Sequence, residues 1–370
     1  MFEEEFDKYL WDKVSFDIYQ KNQGDVQKAL ISSAPTLEDF KALLSPAALP
    51  FLPRMVAKSQ KLTQTRFGKT VQMYVPLYLS NECQNICTYC GFSFTNKIPR
   101  KTLTEDEIIA EAKVIKSMGF DHVLLVTGEA NQTVGVDYLL KAINVLRPYF
   151  SNISIEVQPL QTDEYVMLKK VGVHSILVYQ ETYHEETYKT HHPKGKKSIF
   201  RYRLATPDRI GIAGMHKIGL GILIGLEDWR VDSFFTALHL SYLEKKYWKT
   251  KYSISFPRLR PFNGGELIKM EMSDKELIQL ITAYRLFNQE VELSISTRET
   301  PEFRNHIIHC GITSMSAASK TSPGGYSDKG HLEQFEIDDS RSTGEIITML
   351  KNQGVEPIWK DWESAFDKVF

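Results

Sequence analysis

Residues 71–92 read VQMYVPLYLSNECQNICTYCGF, and this run decides how the rest of the chain is interpreted. Apolar residues dominate positions 71–79, which predicts a buried β-strand that ends directly before a cysteine loop. Cys83, Cys87 and Cys90 form a C-x3-C-x2-C pattern whose three thiolates can bind three irons of a cubane [4Fe-4S] cluster. No fourth cysteine lies nearby in the sequence, so one iron would stay open for a small molecule.

The remaining cysteine leaves one alternative open. The chain has four cysteines, and this clustering is not that of a disulfide framework. A zinc site completed by a histidine or by Cys310 is the alternative, although zinc sites favour paired C-x2-C units. Cys310 itself is interpreted as an isolated core thiol. Clustered free thiols predict a reducing, cytoplasmic setting.

Composition and charge argue against several classes of protein. The 370 residues are 42% hydrophobic, which is enough apolar material for a large core. A formal net charge of −1 gives no electrostatic reason to expect nucleic acid or an anionic membrane as a partner. The acidic start lacks the pattern of a signal peptide, and no apolar run approaches the roughly 20 residues that span a bilayer.

Strand-like and helix-like segments alternate between residues 71 and 320. Short apolar runs predict eight strands, at residues 71–79, 122–127, 153–157, 175–179, 219–226, 252–256, 292–297 and 312–316. Capping boxes at Thr104 and Ser273 begin two of the intervening helices. This alternation predicts an α/β fold, a closed (β/α)8 TIM-like barrel of parallel strands, with an open barrel of six strands as the alternative.

Three regions are predicted from this pattern. Residues 1–70 form an N-terminal helical extension, residues 71–320 the barrel, and residues 321–370 a short C-terminal tail that packs on it. The active site of such a barrel lies at the carboxyl ends of the strands, which is where candidate residues are expected.

Small and acidic residues follow three of the predicted strands. Gly128 and Glu129 follow the second strand, where a carboxylate can accept hydrogen bonds from a cationic amine. Glu156 lies on the third strand and points inward if Gln158 also does, because side chains alternate along a strand. Glu181 follows the fourth strand, where an acid can reach a bound ligand.

Basic side chains could bind a ligand carboxylate at the same rim. The Arg203 guanidinium could form a bidentate pair with a ligand carboxylate. Arg298 follows the seventh strand and could clamp an amino-acid carboxylate, or pair with the neighbouring acid Glu299, and Tyr78 and Ser319 could complete its pocket. The basic run at 191–197 is interpreted as a solvated loop, with a lid or partner contact as the alternative.

Motifs along almost the whole chain carry a resemblance to a known family. They are VPLYLSN at 75–81, YCGFS at 89–93, LVTGE at 125–129, VYQETYH at 178–184, TPDR at 206–209, ISFPRLRP at 254–261, SISTRE at 294–299, PGGY at 323–326 and WKDW at 359–362. Together they resemble the 2-iminoacetate synthase family, the tyrosine lyases of thiamine thiazole biosynthesis within the S-adenosylmethionine (SAM) radical superfamily.

The resemblance implies a role for each candidate residue. The ligands of a single [4Fe-4S] cluster would be Cys83, Cys87 and Cys90. The SAM bound to its open iron would contact Tyr89, Gly128, Glu129, Glu156, Glu181 and Arg203, of which Tyr89 would contact the adenine. Which acid binds the ribose and which the amine stays open. The tyrosine substrate would contact Tyr78, Arg298 and Ser319.

The resemblance also implies a reaction and partners. A SAM-derived radical, rather than a side chain, would attack L-tyrosine, and its Cα–Cβ bond would break to give 2-iminoacetate (dehydroglycine) and 4-cresol, with 5'-deoxyadenosine and methionine released. Holding the amine near the radical carbon would be the protein's main task. Thiazole synthase would receive the labile imine, and a flavodoxin or ferredoxin would supply electrons.

Other functions differ from this one in defined ways. The tyrosine lyase that matures [FeFe]-hydrogenase carries a C-terminal cysteine motif, whereas no cysteine follows Cys310 here. A SAM-radical enzyme acting on another aromatic amino acid, like tryptophan lyase, or adding tyrosine to an acceptor, like FO synthase, is the second hypothesis. A non-catalytic iron–sulfur or zinc scaffold is the third.

Overall fold

The structure is a computed structural model that describes residues 1–262, 272–327 and 333–360. Its centre is a closed barrel of eight parallel strands: β1 (Thr70–Ser80), β2 (His122–Thr127), β3 (Asn152–Glu156), β4 (Val173–Leu177), β5 (Lys217–Gly221), β6 (Lys251–Ser255), β7 (Glu292–Ile295) and β8 (Ser314–Ser316). Each strand pairs with the next, and β1 pairs with both β2 and β8. The closed barrel is therefore confirmed, and the open six-stranded alternative is wrong.

Helices follow the strands and cover the outside of the barrel. They are α6 (Glu105–Ser117), α7 (Val136–Leu146), α8 (Thr162–Lys170), α9 (Glu185–His191), α10 (Phe200–Leu204), α11 (Thr206–Ile212), α12 (Trp229–Lys246), α13 (Asp274–Phe287) and α14 (Pro301–Ile307). Thr104 and Ser273 cap α6 and α13 as predicted, each accepting a hydrogen bond from the backbone N–H three residues later. Within the described ranges, no helix has the length and apolar character to cross a bilayer.

The predicted strands agree with the observed ones to within a few residues, apart from the fifth. That strand ends at Gly221 instead of continuing to residue 226. Ile222 and Ile224 make only isolated bridges with neighbouring segments, and Gly225 has a φ of 117°, which a regular strand does not accept.

The N-terminal residues are helical and pack against the barrel's outer helices. They form α1 (Phe2–Phe6), α2 (Trp11–Tyr19), α3 (Gln23–Ile31), α4 (Leu37–Leu44), a 3-10 turn (Pro46–Phe51) and α5 (Leu52–Phe67). Phe2 stacks on His239 of α12 with ring centroids 3.6 Å apart, and its backbone N–H donates to Asp208 over 2.8 Å. Helices α4 and α5 pack on α13. The division of the chain into three regions stays a prediction.

The C-terminal part returns to the barrel wall. It contains α15 (Thr343–Asn352) and a further strand, β9 (Glu356–Ile358), which pairs in parallel with β1 and was not predicted. A fully buried ion pair between Arg304 and Asp339 fixes its start to α14. The last two residues of the 359–362 motif lie outside the described residues.

The barrel interior contains a cavity because small side chains line its upper half. In most barrels of this type bulky branched residues fill the interior. Here the inward positions near the carboxyl ends of β6, β7 and β8 carry Ser255, Ser294, Ser296 and Ser316. These serines leave room for ligands at the end of the barrel where the βα loops lie.

Candidate active site

One cavity at the carboxyl ends of the strands is lined by all twelve residues selected from the sequence. They are Tyr78, Cys83, Cys87, Tyr89, Cys90, Gly128, Glu129, Glu156, Glu181, Arg203, Arg298 and Ser319. The fold brings them together because parallel strands end at the same rim. Their individual roles toward ligands stay predictions.

The cysteine loop follows β1, and the side chain of Arg100 holds its backbone in place. Arg100 donates from Nη1 to the carbonyl oxygens of Asn81 and Phe92, at 2.7 and 2.8 Å. Burial raises the pKa of Cys83 and Cys87, and for Cys83 the Glu129 carboxylate adds to the effect. Free, these groups are thiols, and binding to iron deprotonates them.

The three cysteines fit a cluster better than a single ion. In the part of the chain that the structure describes, no group of three or more His, Cys, Asp or Glu side chains is placed to hold one metal ion. A cubane cluster has a different requirement, because each thiolate binds a different iron. Cys310 does not line the cavity, and its thiol faces the carbonyl oxygen of His306 at 3.7 Å. The donor set therefore fits a [4Fe-4S] cluster and not the alternative zinc site.

A network of buried charges surrounds the loop. Arg203 donates from Nη1 to Glu129 at 2.9 Å, from Nη2 to Glu181 at 3.4 Å and from Nε to the Tyr179 carbonyl oxygen at 2.6 Å. Since a guanidinium has five N–H groups, two of those of Arg203 have no acceptor among the described residues. Lys197 donates to Glu181 at 2.7 Å. The network therefore holds the carboxylates of Glu129 and Glu181 in the cavity wall.

Backbone geometry at the rim has features of a functional site. A Cβ on Gly128 would lie 2.2 Å from the carbonyl oxygen of Glu82, so only glycine lets β2 pass this close to the cysteine loop. Among the described residues, the non-glycine positions with positive φ are Glu181 (72°) and Ala318 (51°), and Ala318 precedes Ser319. Strain of this kind clusters where side chains must meet ligands.

Glu156 titrates differently from the other acids of the cavity. Burial and the nearby Glu181 carboxylate raise its pKa to about 7, although Arg298, Lys197 and Arg203 act in the opposite direction. Burial also acts to raise the pKa of Glu129, but Arg203 and Lys197 outweigh it, so that this pKa is lowered. Two acids of one cavity thus differ in charge near neutral pH.

The three residues selected for the substrate line the cavity from β1 and from the segments that follow β7 and β8. The Arg298 guanidinium stacks 3.4 Å from the centre of the Phe335 ring, and its Nη1 donates to the Arg258 carbonyl oxygen at 3.3 Å. Arg258, not Arg298, holds Glu299, with a distance of 3.0 Å from Nε to Oε2. The Ser319 hydroxyl is buried and has no hydrogen-bond partner among the described residues. A ligand could supply one.

Comparisons with known proteins identify the family. Residues 77–238 match the Radical SAM superfamily, and residues 255–356 match the Biotin and Thiamin Synthesis associated domain. The chain is 51% identical over 361 residues to 2-iminoacetate synthase of Escherichia coli strain K12, covering 97% of this chain and 96% of that one. The chain belongs to the 2-iminoacetate synthase family. The predicted family and enzyme class, a radical SAM carbon–carbon lyase, are confirmed, and membership implies a [4Fe-4S] cluster and SAM as cofactors.

Other relatives agree with this membership. The Salmonella typhimurium LT2 2-iminoacetate synthase is 51% identical over 356 residues, covering 96% of this chain and 94% of that one. A crystal structure of HydG, a maturase of the [FeFe]-hydrogenase, superposes with a TM-score of 0.90 at 31% identity, covering 94% of this chain and 80% of that one. The 3-methylornithine synthase of Methanosarcina barkeri is 29% identical over 42% of this chain and 45% of that one.

The prediction that residues 191–197 form a solvated loop was wrong for His192 and Lys197. His192 is buried and its Nε2 lies 2.6 Å from the Tyr89 hydroxyl, while the Lys197 ammonium lies 5.7 Å from the centre of the Tyr89 ring. The signal available in the sequence was Gly195, whose added Cβ would lie 2.2 Å from Asn85 of the cysteine loop. This signal was weak, because glycine is equally compatible with a turn in a solvated loop.

Sequence analysis also missed Gln334 and Phe335 of the C-terminal segment. Both line the cavity. No motif or periodicity marks them, because their places result from where the chain recrosses the barrel mouth.

Proposed function

We propose that this protein cleaves the Cα–Cβ bond of L-tyrosine to 2-iminoacetate and 4-cresol, consuming SAM, for thiazole formation in thiamine biosynthesis. The observation that supports this best is a single cavity shared by the cysteine loop, the acid–arginine network and Arg298. The family membership supports the reaction class, and the shared cavity supports binding of cofactor and substrate next to each other.

The cofactors have defined places in this proposal. Cys83, Cys87 and Cys90 hold the cluster and leave one iron open, while Tyr89, Gly128, Glu129, Glu156, Glu181 and Arg203 contact SAM. When bound, the cluster and SAM supply hydrogen-atom abstraction. Glu129 contributes a carboxylate that stays ionised because Arg203 lowers its pKa, and it accepts from the ammonium group of SAM. The two free N–H groups of Arg203 are left for the SAM carboxylate.

Substrate positioning falls to Tyr78, Arg298 and Ser319. Arg298 binds the carboxylate of tyrosine, and the buried Ser319 hydroxyl gains a hydrogen-bond partner there. The Phe335 ring lies against the Arg298 guanidinium and restricts its orientation. Fixing the amino-acid backbone in this way selects the bond to be attacked, since an unguided radical would react with almost any neighbouring group.

The partners belong to the same proposal. A labile imine requires transfer to an enzyme that consumes it, and we assign this role to thiazole synthase. A flavodoxin or ferredoxin supplies the electron. We also propose that the protein works in the cytoplasm, where it would meet both partners.

The test is a reconstitution without oxygen. The chain is loaded with iron and sulfide, reduced, and mixed with SAM and tyrosine, and 5'-deoxyadenosine and 4-cresol are quantified together. Equal amounts of both products are expected. Deoxyadenosine without 4-cresol would refute tyrosine as the substrate, and the same assay with tryptophan or a flavin-like acceptor would show whether one of the other substrates applies.

A further inference from the structure

The Gln334 side chain contacts both Tyr78, which was selected for the substrate, and Cys90 of the cysteine loop. The Tyr78 hydroxyl donates to Oε1 of Gln334 over 2.7 Å, and Nε2 of the same amide donates to Sγ of Cys90 over 3.5 Å. Gln334 lies on the C-terminal segment, outside the barrel and 244 residues after Cys90. One side chain thus contacts both halves of the proposed site.

The segment that carries Gln334 is fixed in place by its backbone. Gln334 N–H donates to the Thr321 carbonyl oxygen at 2.9 Å, and its own carbonyl oxygen accepts from Gly91 at 3.2 Å. An added Cβ on Gly91 would lie 2.7 Å from that oxygen, so the cysteine loop requires glycine here to approach the segment. Further along, the N–H groups of Asp338 and Asp339 both donate to Thr297, beside Arg298.

The chemistry of the sulfur fixes the direction of the whole chain of hydrogen bonds. A cysteine thiolate bound to iron has no proton and can only accept, so the NH2 group of Gln334 must face Cys90. The amide oxygen therefore faces Tyr78, which must donate its only hydroxyl proton to it. A tyrosine hydroxyl keeps its proton near neutral pH, so Tyr78 remains the donor. The free lone pairs of the Tyr78 oxygen can then only accept.

We propose that Gln334 is a positioning residue that directs the Tyr78 oxygen to accept a hydrogen bond from the amine of the substrate, and that it donates a hydrogen bond to the cluster through Cys90. This inference rests on the proposed function and adds to it. Arg298 then binds the carboxylate and Tyr78 the amine, the group from which hydrogen is removed. Donors to cluster sulfurs raise the reduction potential because they stabilise the more negative reduced state.

Two substitutions separate the two contacts. Gln334→Glu keeps an oxygen that accepts from Tyr78 but places negative charge beside Cys90. Gln334→Leu removes both contacts. The cluster potential is measured by redox titration followed by electron paramagnetic resonance, and tyrosine affinity by calorimetry on the oxidised, SAM-bound holoenzyme, in which no turnover takes place. Iron and sulfide contents confirm that each variant is loaded. Glu336→Gln, on the exposed part of the same segment, is the matched control.

The expected results differ between the variants. Gln334→Glu should shift the potential to more negative values and change the dissociation constant of tyrosine less than three-fold. Gln334→Leu should shift the potential in the same direction and weaken tyrosine binding about ten-fold, the usual effect of losing one oriented hydrogen bond. The control should change neither quantity.

An unchanged potential in both variants would overturn the contact with the cluster, and an unchanged affinity in Gln334→Leu would overturn the role of Tyr78. Equal losses of affinity in both variants at constant potential would show a structural role only and also refute the proposal. Neither readout involves bond cleavage, so a wild-type protein that makes no 4-cresol would refute the proposed function without affecting the potential measurement.

Discussion

Arg203 and Glu129 form an ion pair in the cavity wall, with 2.9 Å between nitrogen and oxygen and side chains that are 6% and 13% exposed. The second oxygen of Glu129 accepts from Asn85 of the cysteine loop at 2.8 Å. The pair therefore connects β2, the cysteine loop and α10. Because Arg203 compensates the cost of burial, Glu129 can present a negative charge beside the cysteines without being protonated.

Glu129→Gln should weaken SAM binding while the cluster is retained. The amide is similar in shape but has no charge to attract an ammonium group, and loss of a charge-assisted hydrogen bond costs about 1.5–3 kcal/mol, or roughly ten- to hundred-fold in affinity. SAM titration of the reconstituted protein measures this, together with its iron content. Glu186→Gln, an exposed acid on α9, should bind SAM normally. Unchanged SAM affinity in Glu129→Gln would remove Glu129 from the SAM site.

Cys87→Ala and Cys310→Ala should have opposite outcomes. Both cysteines are buried, so the two substitutions are matched in chemistry and environment. Cys87→Ala removes one of three proposed ligands and should abolish cluster binding, whereas Cys310→Ala should keep the cluster and lose only about 1 kcal/mol of stability. Iron and sulfide analysis after reconstitution distinguishes them. Cluster loss in Cys310→Ala would return the zinc-type arrangement to consideration.

The barrel was predictable because its strands have a simple physical signature. A strand buried on both faces is a continuous apolar run, and β2 was predicted with its observed limits, His122–Thr127. Site residues at strand ends were predictable for the same reason, since Glu129, Glu156 and Arg298 follow from the position of a strand and the rule for the active rim.

Residues that reach the cavity from irregular segments could not be predicted in this way. Lys197 looks like any solvated lysine in sequence, and only the contact of its loop with the cysteine loop buries it. Gln334 depends on a chain crossing that no local pattern encodes. Strand β9 has three residues and pairs at the edge of β1, which is too short for a periodic signal.

Glu156→Gln should stabilise the cofactor-free protein at neutral and alkaline pH only. The folded state holds the proton of Glu156 up to a pKa of about 7, whereas the unfolded chain releases it near 4.5. The stability that this proton contributes is complete below pH 4.5 and is lost as the pH rises to 7. The shift in pKa corresponds to on the order of 3 kcal/mol.

The check is to measure the thermal midpoints of the wild-type protein and of Glu156→Gln between about pH 4.5 and 8.5. The advantage of the variant should grow from about pH 4.5 to about pH 7 and then stay constant. Glu186→Gln should follow the wild type at every pH. A constant difference across the range would mean that Glu156 ionises normally in the folded protein.

Arg298→Lys should damage tyrosine binding while leaving the cluster and SAM sites intact. Lysine keeps the positive charge but cannot form the two parallel hydrogen bonds of a guanidinium, and it loses the planar contact with Phe335. Tyrosine affinity should fall about ten- to hundred-fold, and 5'-deoxyadenosine should form in excess of 4-cresol because the poorly held substrate no longer captures every hydrogen-abstraction event. The ratio of the two products, measured over a range of tyrosine concentrations, is the decisive quantity.

Arg201→Lys at the surface, where the arginine pairs with Asp7, should keep this ratio at the wild-type value. If Arg298→Lys binds tyrosine normally and yields equal amounts of both products, the carboxylate is bound elsewhere, and the free N–H groups of Arg203 become the nearest alternative.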